Sequence, residues 1–404
     1  MNKLTIRDIN VSDKRVLVRV DFNVTLDEKT GVISDDSRIR AALPTIKYLI
    51  DQEAKVILCS HLDRPDGKVV ESLRLAGVAR RLSELLGKSV IATTDCIGPE
   101  VEKAVNGLKD GDVLLLENLR FHSAEEDNEP DFARALAKLA DIYVDDAFGT
   151  AHRKHASIVG IAKQLPSMAG LLLEKELKNL GGIIENPSHP FAGIVGGAKV
   201  SDKVELLQNI MDKMDCLLIG GGMAATFLKA RSYEVGKSLV EEDRLDTATH
   251  LMEEAEKRGV RLLLPVDVIV AVEISTAAKG EVVPIENIPP EQRILDIGPR
   301  SIDDFSRELR ECKTVFWNGP MGVNEIPQFA KGTVAIAEFL AGLKATIVIG
   351  GGSTSDVVTN LGLADKMTFV STGGGASLKF MGGEKLPGVE VLLDKDSPEA
   401  GQLK

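Results

Sequence analysis

Short, almost continuously apolar runs rich in Val, Ile and Leu recur along this chain, each followed by a longer amphipathic stretch. A strand covered on both faces reads this way, and such strands belong to parallel sheets flanked by helices. The amphipathic stretches at 42–52, 74–87, 131–140, 201–214, 246–259 and 331–343 carry helical spacing. A repeated strand–helix unit predicts an α/β architecture with right-handed crossovers. In open sheets of this kind, ligands bind beyond the carboxyl ends of the strands. The loops at those ends are therefore where function should be sought.

Those loops come in two kinds. In the first 160 or so residues, the runs at 15–20, 55–59, 112–118 and 141–148 lead to segments bearing Arg38, Arg64, Arg120 and Arg153. His61 and His152 accompany them. Beyond about residue 190, the runs end in glycine: GGAKVSDK, GGGM, NGPMG, GGGST and TGGGAS. Guanidinium binds carboxylate and phosphate bidentately and stays charged. A single arginine is more often a surface ion pair, but four at successive strand ends predict a polyanion pocket. Glycine after a strand and before a helix lets backbone N–H groups approach phosphate. One such loop is ordinary turn chemistry; five in one region predict a nucleotide site. Lys199 and Lys203, four apart after Gly196-Gly197, would reach phosphates if a helix begins near Ser201. Asp21 and Asn23 are ambiguous, because helix caps and turns use the same residues. Glu325 could accept from a ribose, although acidic loop residues are usually just solvated.

Several classes are excluded. The formal net charge of −12 argues against nucleic acid as a partner. No apolar stretch is long enough to span a membrane. The first residues lack the apolar core of a secretory signal. Cys59, Cys96, Cys216 and Cys312 form no C-x-x-C pair, so zinc and redox motifs are absent and reduced thiols in the cytoplasm are expected. His122, His155, His189 and His250 lack metal-ligand spacing and read as structural or surface residues. No Walker A box is present: the GKS at 87–89 and at 236–238 have Leu82 and Arg231 where the first glycine should stand. No G-x-G-x-x-G opens either half, which leaves a dinucleotide oxidoreductase weakly supported.

At 404 residues, two domains are expected. The joint falls near 170–190, read as a charged helix stopped by Gly181-Gly182 and followed by a proline-containing turn.

The motifs VRVDFNV, SHLDRP, ENLRFH, DDAFGTAHR, GLLLEKEL, GGAKVSDK, GGGM, FWNGPMG and STGGGASL, in this order over nearly the whole chain, resemble the phosphoglycerate kinase family. The resemblance implies two Rossmann-like three-layer αβα domains with mainly parallel sheets, joined by an interdomain helix and a hinge. Residues 1–170 would bind phosphoglycerate, 171–189 would link, 190–385 would bind nucleotide, and 386–404 would return to the N-terminal domain. The implied reaction is reversible phosphoryl transfer between 1,3-bisphosphoglycerate and ADP, giving 3-phosphoglycerate and ATP, with Mg²⁺ carried on the nucleotide. The implied setting is a cytoplasmic monomer. By motif, Asp21, Phe22, Asn23, Arg38, His61, Leu62, Asp63, Arg64, Arg120 and Arg153 would meet the substrate. Gly196, Gly197, Lys199, Lys203, Gly221, Gly222, Asn318, Pro320, Val323, Glu325, Gly350, Gly351, Gly352, Ser353 and Thr354 would meet the nucleotide. Arg38, Lys199 and Lys203 would stabilise the transferring group.

Four positions depart from the family pattern. Ser353 replaces the usual Mg²⁺-binding aspartate, Asp63 and Ile294 replace glycines, and Lys379 replaces a glutamate. Asp63 would place a negative charge beside Arg64, Ile294 would narrow the adenine pocket, and Lys379 would alter hinge contacts. Ser353 leaves the metal ligands unassigned, with Asp356 or water to fill the gap. It also motivates the alternative of a nucleotide-binding protein with weakened catalysis. A kinase for another carboxylate would share the same loops.

Overall fold

The computed structural model describes residues 2–27 and 29–403. The chain divides into two compact units, residues 1–178 with 385–404, and residues 179–384.

The first unit is built on strands β1 (Arg15–Arg19), β4 (Lys55–Cys59), β5 (Val90–Ala92), β6 (Val113–Leu115), β7 (Ile142–Asp145) and β8 (Ser167–Ala169). Thr25–Leu26 (β2) and Ile33–Asp35 (β3) form a small separate hairpin. The main sheet has the order β5-β6-β4-β1-β7-β8, and every pair in it is parallel. Helices α1 (Ser37–Asp51), α2 (Ala76–Leu86), α3 (Pro99–Asn106), α4 (Ser123–Glu126) and α5 (Pro130–Ala137) make the connections, and α6 (Leu171–Glu185) carries the chain across the division, its residues from Asn179 belonging to the second unit. Register places Arg19 level with Cys59 on one side and Asp145 on the other. The loops after β4, β1 and β7 therefore leave the same edge side by side. The strand order reverses direction between β1 and β7, which is where a crevice opens in such sheets.

In the second unit, β9 (Phe191–Val195), β10 (Cys216–Ile219), β11 (Arg261–Leu263), β15 (Thr314–Asn318), β16 (Thr346–Gly350) and β17 (Phe369–Val370) form a sheet of order β11-β10-β9-β15-β16-β17. All its pairs are parallel. This is the doubly wound order, with its switch point between β9 and β15. Helices α7 (Val204–Ile210), α8 (Met223–Ala230), α9 (Leu245–Lys257), α10 (Pro299–Leu309), α11 (Lys331–Ala341), α12 (Gly352–Asn360) and α13 (Gly375–Met381) complete it. An antiparallel sheet of β12 (Asp267–Ala271), β13 (Glu281–Pro284) and β14 (Arg293–Ile297) is an addition that the strand–helix repeat did not announce. Its Val268, Val270, Val283 and Ile294 pack with Ala225 and Leu228 of α8.

The chain's last residues, with the short helices α14 (Pro387–Glu390) and α15 (Pro398–Leu403), rejoin the first unit. Leu4 N donates to Leu393 O at 2.8 Å, and Lys395 pairs with Asp8 at 3.0 Å.

One expectation fails in α6, which runs straight through Gly181-Gly182 to Glu185 instead of stopping there. Leu173, Leu177, Leu180 and Ile183 form a buried stripe at helical spacing. Two helical glycines cost about 2 kcal/mol relative to alanine. Beyond the glycines, burying Ile183 fully and Ile184 in part contributes about 2–4 kcal/mol, which offsets that cost. At the other end, Asp146 Oδ1 accepts from Leu172 N at 2.9 Å and Leu173 N at 3.3 Å, satisfying the helix start from the end of β7. Gly182 is exposed, and a Cβ on it would meet nothing within 4 Å. Gly182→Ala should therefore raise stability by about 0.5–1 kcal/mol, read as a higher Cm in urea unfolding.

Candidate functional site

The edge beyond β1, β4 and β7 concentrates positive charge. Arg38, on the first turn of α1, pairs with Asp21 in the loop after β1. Phe22 N donates to Ser60 Oγ at 2.9 Å, and Phe22 is fully buried. Asn23 Oδ1 accepts from Asp63 N at 2.8 Å, joining the β1 loop to the β4 loop. Leu62 is held through both backbone groups by Asn118, at 3.1 and 2.8 Å. Arg120 is 3 % exposed; it donates to Asp63 O at 2.8 Å and pairs with Glu126 at 2.9 Å. Arg64 and Arg153 make no ion pair with any described residue. Asp63 has φ of +54° and an exposed side chain. That left-handed conformation is the physical reason a glycine would suit the position.

Beneath these loops lies a residue that sequence reasoning missed. Arg19 sits inside an apolar strand, is 1 % exposed, and donates to Ser157 Oγ at 2.9 Å and His61 Nδ1 at 3.1 Å. Ser157 in turn donates twice to the buried Glu125, at 2.6 and 2.9 Å. The only signal was a charge on a strand whose neighbours are all apolar. Burial, then Arg19, Arg120 and Arg38, hold the His61 imidazole well below its usual range. His61 is therefore neutral at physiological pH. Because arginine can only donate, Nδ1 is the acceptor and Nε2 carries the proton.

At the edge beyond β9, β15 and β16, the expected lysine geometry changes. The helix begins at Val204, so Lys203 stands at its N-cap position and Lys199 lies upstream in a loop. The loop is pinned by Glu241, which accepts from Val200 N at 2.6 Å, Ser201 N at 3.1 Å and Ser201 Oγ at 2.6 Å. With its first donors fixed outside the helix, the 200–203 segment forms a turn instead. Lys199 is exposed, whereas Lys203 is 8 % exposed and donates to Asn318 Oδ1.

The glycines also do something different from the expectation. Gly196 N donates to Asn318 O at 2.9 Å, Gly197 N to Pro320 O at 3.0 Å, and Gly221 N to Met321 O at 2.9 Å. These N–H groups knit three loops together and are not open to phosphate. A Cβ on Gly196 would lie 2.2 Å from Pro320 O. The absence of side chains here permits backbone to pack on backbone.

At α12 the expected geometry is present. Gly351, at φ of +88°, turns the chain from Gly350 into a nine-residue helix whose first ladder bond runs from Ser355 N to Gly351 O at 3.1 Å. The N–H groups of Gly352, Ser353 and Thr354 are thus the helix's open donors. Thr354 itself is buried, and its hydroxyl accepts from Gly319 N at 2.8 Å, so it braces the neighbouring loop. Gly222 stands immediately before α8. Val323 packs against Ile269, Leu295 and Phe329, while Glu325 is exposed. Ile294 is enclosed in the apolar cluster of β12–β14, and Lys379 pairs with Glu384 at 3.0 Å.

Burial lowers the Lys203 amine to about 8, with Asp202 pulling the other way. Below that pH it is an ammonium; above it, it is neutral and holds no anion. If it contacts phosphate, kcat/KM for the nucleotide should fall as pH rises through about 8. Lys203→Arg, which stays charged, should abolish that alkaline limb. A pH–rate profile checks this, and an unchanged limb in the variant would exclude Lys203 as its source. Stability has the opposite sign: the unfolded lysine binds more protons between about 8 and 10.5, so this group's contribution improves with pH there.

The chain is similar to known proteins over nearly its whole length. A family model described as phosphoglycerate kinase matches residues 6–384. A Pelotomaculum thermopropionicum protein named phosphoglycerate kinase is 56 % identical over 395 residues, 98 % of this chain and 100 % of that one. One of the same name from Dictyoglomus turgidum is 55 % identical over 393 residues, covering 97 % and 98 %. The solved phosphoglycerate kinase of Coxiella burnetii superposes with a TM-score of 0.86 at 41 % identity, covering all of both chains. That of Pyrococcus horikoshii gives 0.85 at 33 % identity, covering 96 % and 98 %. With strand-end arginines on one sheet, glycine loops on the other, and matches of this extent, the chain belongs to the phosphoglycerate kinase family.

Proposed function

We propose that the arginine edge of the first unit holds 3-phosphoglycerate or 1,3-bisphosphoglycerate, and that the glycine edge of the second holds ADP or ATP. The enzyme is a phosphotransferase with a carboxyl group as acceptor. Its reaction is the reversible transfer between 1,3-bisphosphoglycerate and ADP that gives 3-phosphoglycerate and ATP. The observation that carries the assignment is surplus positive charge. Arg38 and Arg120 bear on His61 while Arg64 and Arg153 have no ion-pair partner among the described residues.

In the ATP-forming direction, a β-phosphate oxygen of ADP attacks the acyl phosphorus. The P–O bond to the acyl carbon's oxygen breaks, and the carboxylate leaves with that electron pair. No proton moves, because a carboxylate of pKa near ~3.5 stays ionised. No general base is needed, so the protein contributes positioning and charge neutralisation. Asp21 and Asn23 address the glycerate end. Arg38, Lys199 and Lys203 neutralise the transferring group, and the open N–H groups of α12 receive nucleotide phosphate.

The donor set tolerates a metal that arrives on the nucleotide. Ser353 and Asp356 are both exposed, three apart on α12, and so lie on one face. A hydroxyl and a carboxylate suit Mg²⁺, which keeps several waters and relies on phosphate oxygens. When bound, Mg²⁺ would supply neutralisation of phosphate charge, held in part by Ser353 and Asp356. Asp356→Ala should raise the Mg²⁺ concentration needed for half-maximal turnover about tenfold; an unchanged Mg²⁺ dependence would exclude Asp356 as a ligand.

No helix among the described residues is long and apolar enough to cross a membrane, and all four cysteines are free and buried. Both accord with a cytoplasmic enzyme, and we read it as a monomer. A coupled assay for ATP from 1,3-bisphosphoglycerate and ADP tests the whole reading. The expected result is turnover at saturating Mg²⁺. ADP bound without turnover, or faster turnover with another carboxylic acid's acyl phosphate, would overturn it.

A further inference from the structure

Two neighbouring strand ends outside the anion site bring together residues that are 26 and 27 positions apart in sequence. Asp95 and Cys96 lie in the loop after β5, and His122 follows the short helical turn after β6. β5 and β6 are adjacent and parallel, so these loops leave the same edge together. His122 Nε2 lies 2.7 Å from Asp95 Oδ1. One ligand atom from each of Asp95, Cys96 and His122 lies within 4.8 Å of the other two. We propose that these three residues form a binding site for a zinc-class divalent cation.

The chemistry of the donors selects the ion. A soft thiolate sulfur with a borderline imidazole nitrogen and a hard carboxylate oxygen is a mixed set that suits borderline Zn²⁺ or Co²⁺ better than the hard Mg²⁺ or Ca²⁺. Tetrahedral coordination at the usual bond lengths puts ligand atoms about 3.3–3.7 Å apart. The imidazole–carboxylate pair must open by about half an ångström or more, and the wider separations must close by at most about an ångström.

The surroundings favour a cation. Cys96 is fully buried, whereas Asp95 is exposed and His122 partly so, which gives a floor of sulfur and an open mouth. Burial, then the charges of Asp95, Glu125 and Cys59, push the Cys96 thiol up; the two carboxylates favour a cation beside it. The His122 ring is set by Phe132, with centroids 5.3 Å apart. The Asp95 backbone is fixed by Thr93 Oγ1 at 2.7 Å. Binding exchanges the thiol proton for the metal: the S–H bond breaks, the proton leaves to solvent, and the S–metal bond forms. Three protein ligands leave a fourth position for water.

The test is titration of the full chain, without nucleotide, with Co²⁺. The expected result is saturation at one equivalent with a sulfur-to-cobalt charge-transfer band in the near ultraviolet. Cys96→Ser should lose the band and weaken binding at least tenfold, and His122→Asn should weaken it at least tenfold as well. Both variants should keep the turnover of the parent with Mg²⁺ nucleotide. Should Cys96→Ser fail to fold, His122→Asn decides alone. Absence of saturable binding, cobalt bound without the sulfur band, or full affinity in a folded variant would each overturn the proposal.

Discussion

Replacing Arg38 by alanine should lower kcat by about 10²–10³-fold, the loss expected when one preorganised donor to developing charge is removed. Thermal stability should hardly move. The Arg38 side chain is 38 % exposed and its one ion-pair partner among the described residues is Asp21, an interaction of about 0–1 kcal/mol for so exposed a cation. A large kinetic effect with a small stability effect separates a catalytic arginine from a structural one. Arg38→Lys sharpens the distinction. Lysine keeps the charge but not the planar fork, so partial activity should survive if charge alone matters, and little if bidentate contact does. Steady-state kinetics with saturating substrates measures both variants. A fall of less than about tenfold in Arg38→Ala would remove Arg38 from the transferring group.

By contrast, Arg19→Ala should fail as a stability variant. Its guanidinium is buried, with Glu125, Asp145 and Ser157 around it, and removal leaves buried carboxylates without their cation. The two arginines look alike in a list of charged residues. Burial alone separates them.

That difference indicates how far the sequence could be read. The parallel sheets were legible because strands buried on both faces must be apolar throughout, and the arginine and glycine loops were legible because they fall where those runs end. Arg19 was hidden because a run such as RVLVRV still reads as an apolar strand although Arg15 and Arg19 lie in it. The antiparallel β12–β14 sheet was hidden because its strands follow one another with no α-helix between them, so no strand–helix repeat marks them. Gly181 and Gly182 misled because a local breaker was weighed without the tertiary stripe that overrides it. His122 and Cys96 were read as unrelated because metal-ligand spacing is a one-dimensional signature, while β5 and β6 pair them in space. Helix starts depend on caps supplied from afar, as Glu241 does for the 200–203 turn, and no local window contains that carboxylate.

The glycine loops yield the largest expected stability effect. Gly319 has φ of +95°, and a Cβ there would lie 2.2 Å from Gly196 O and 2.9 Å from Gly197 N. Backbone atoms cannot rotate aside as a flexible side chain can. An alanine must bear about 1–3 kcal/mol of backbone strain. It must also force the β9 and β15 loops apart, at another 1–3 kcal/mol or so. Gly319→Ala should therefore destabilise the second unit by about 2–6 kcal/mol, lowering its Tm on the order of 10 °C. Gly352→Ala is the control. A Cβ on that residue would meet nothing within 4 Å, and it sits in the first turn of α12 without a positive φ. Its Tm should stay the same or rise slightly. Calorimetry on both variants distinguishes two physical reasons for glycine in one motif class. If Gly352→Ala were as destabilising as Gly319→Ala, close packing of loop backbones would not be what the glycines of this sheet edge provide. If both were neutral, the contact between Gly196 and Gly319 would be dispensable, and the loops would be free to move apart around the nucleotide.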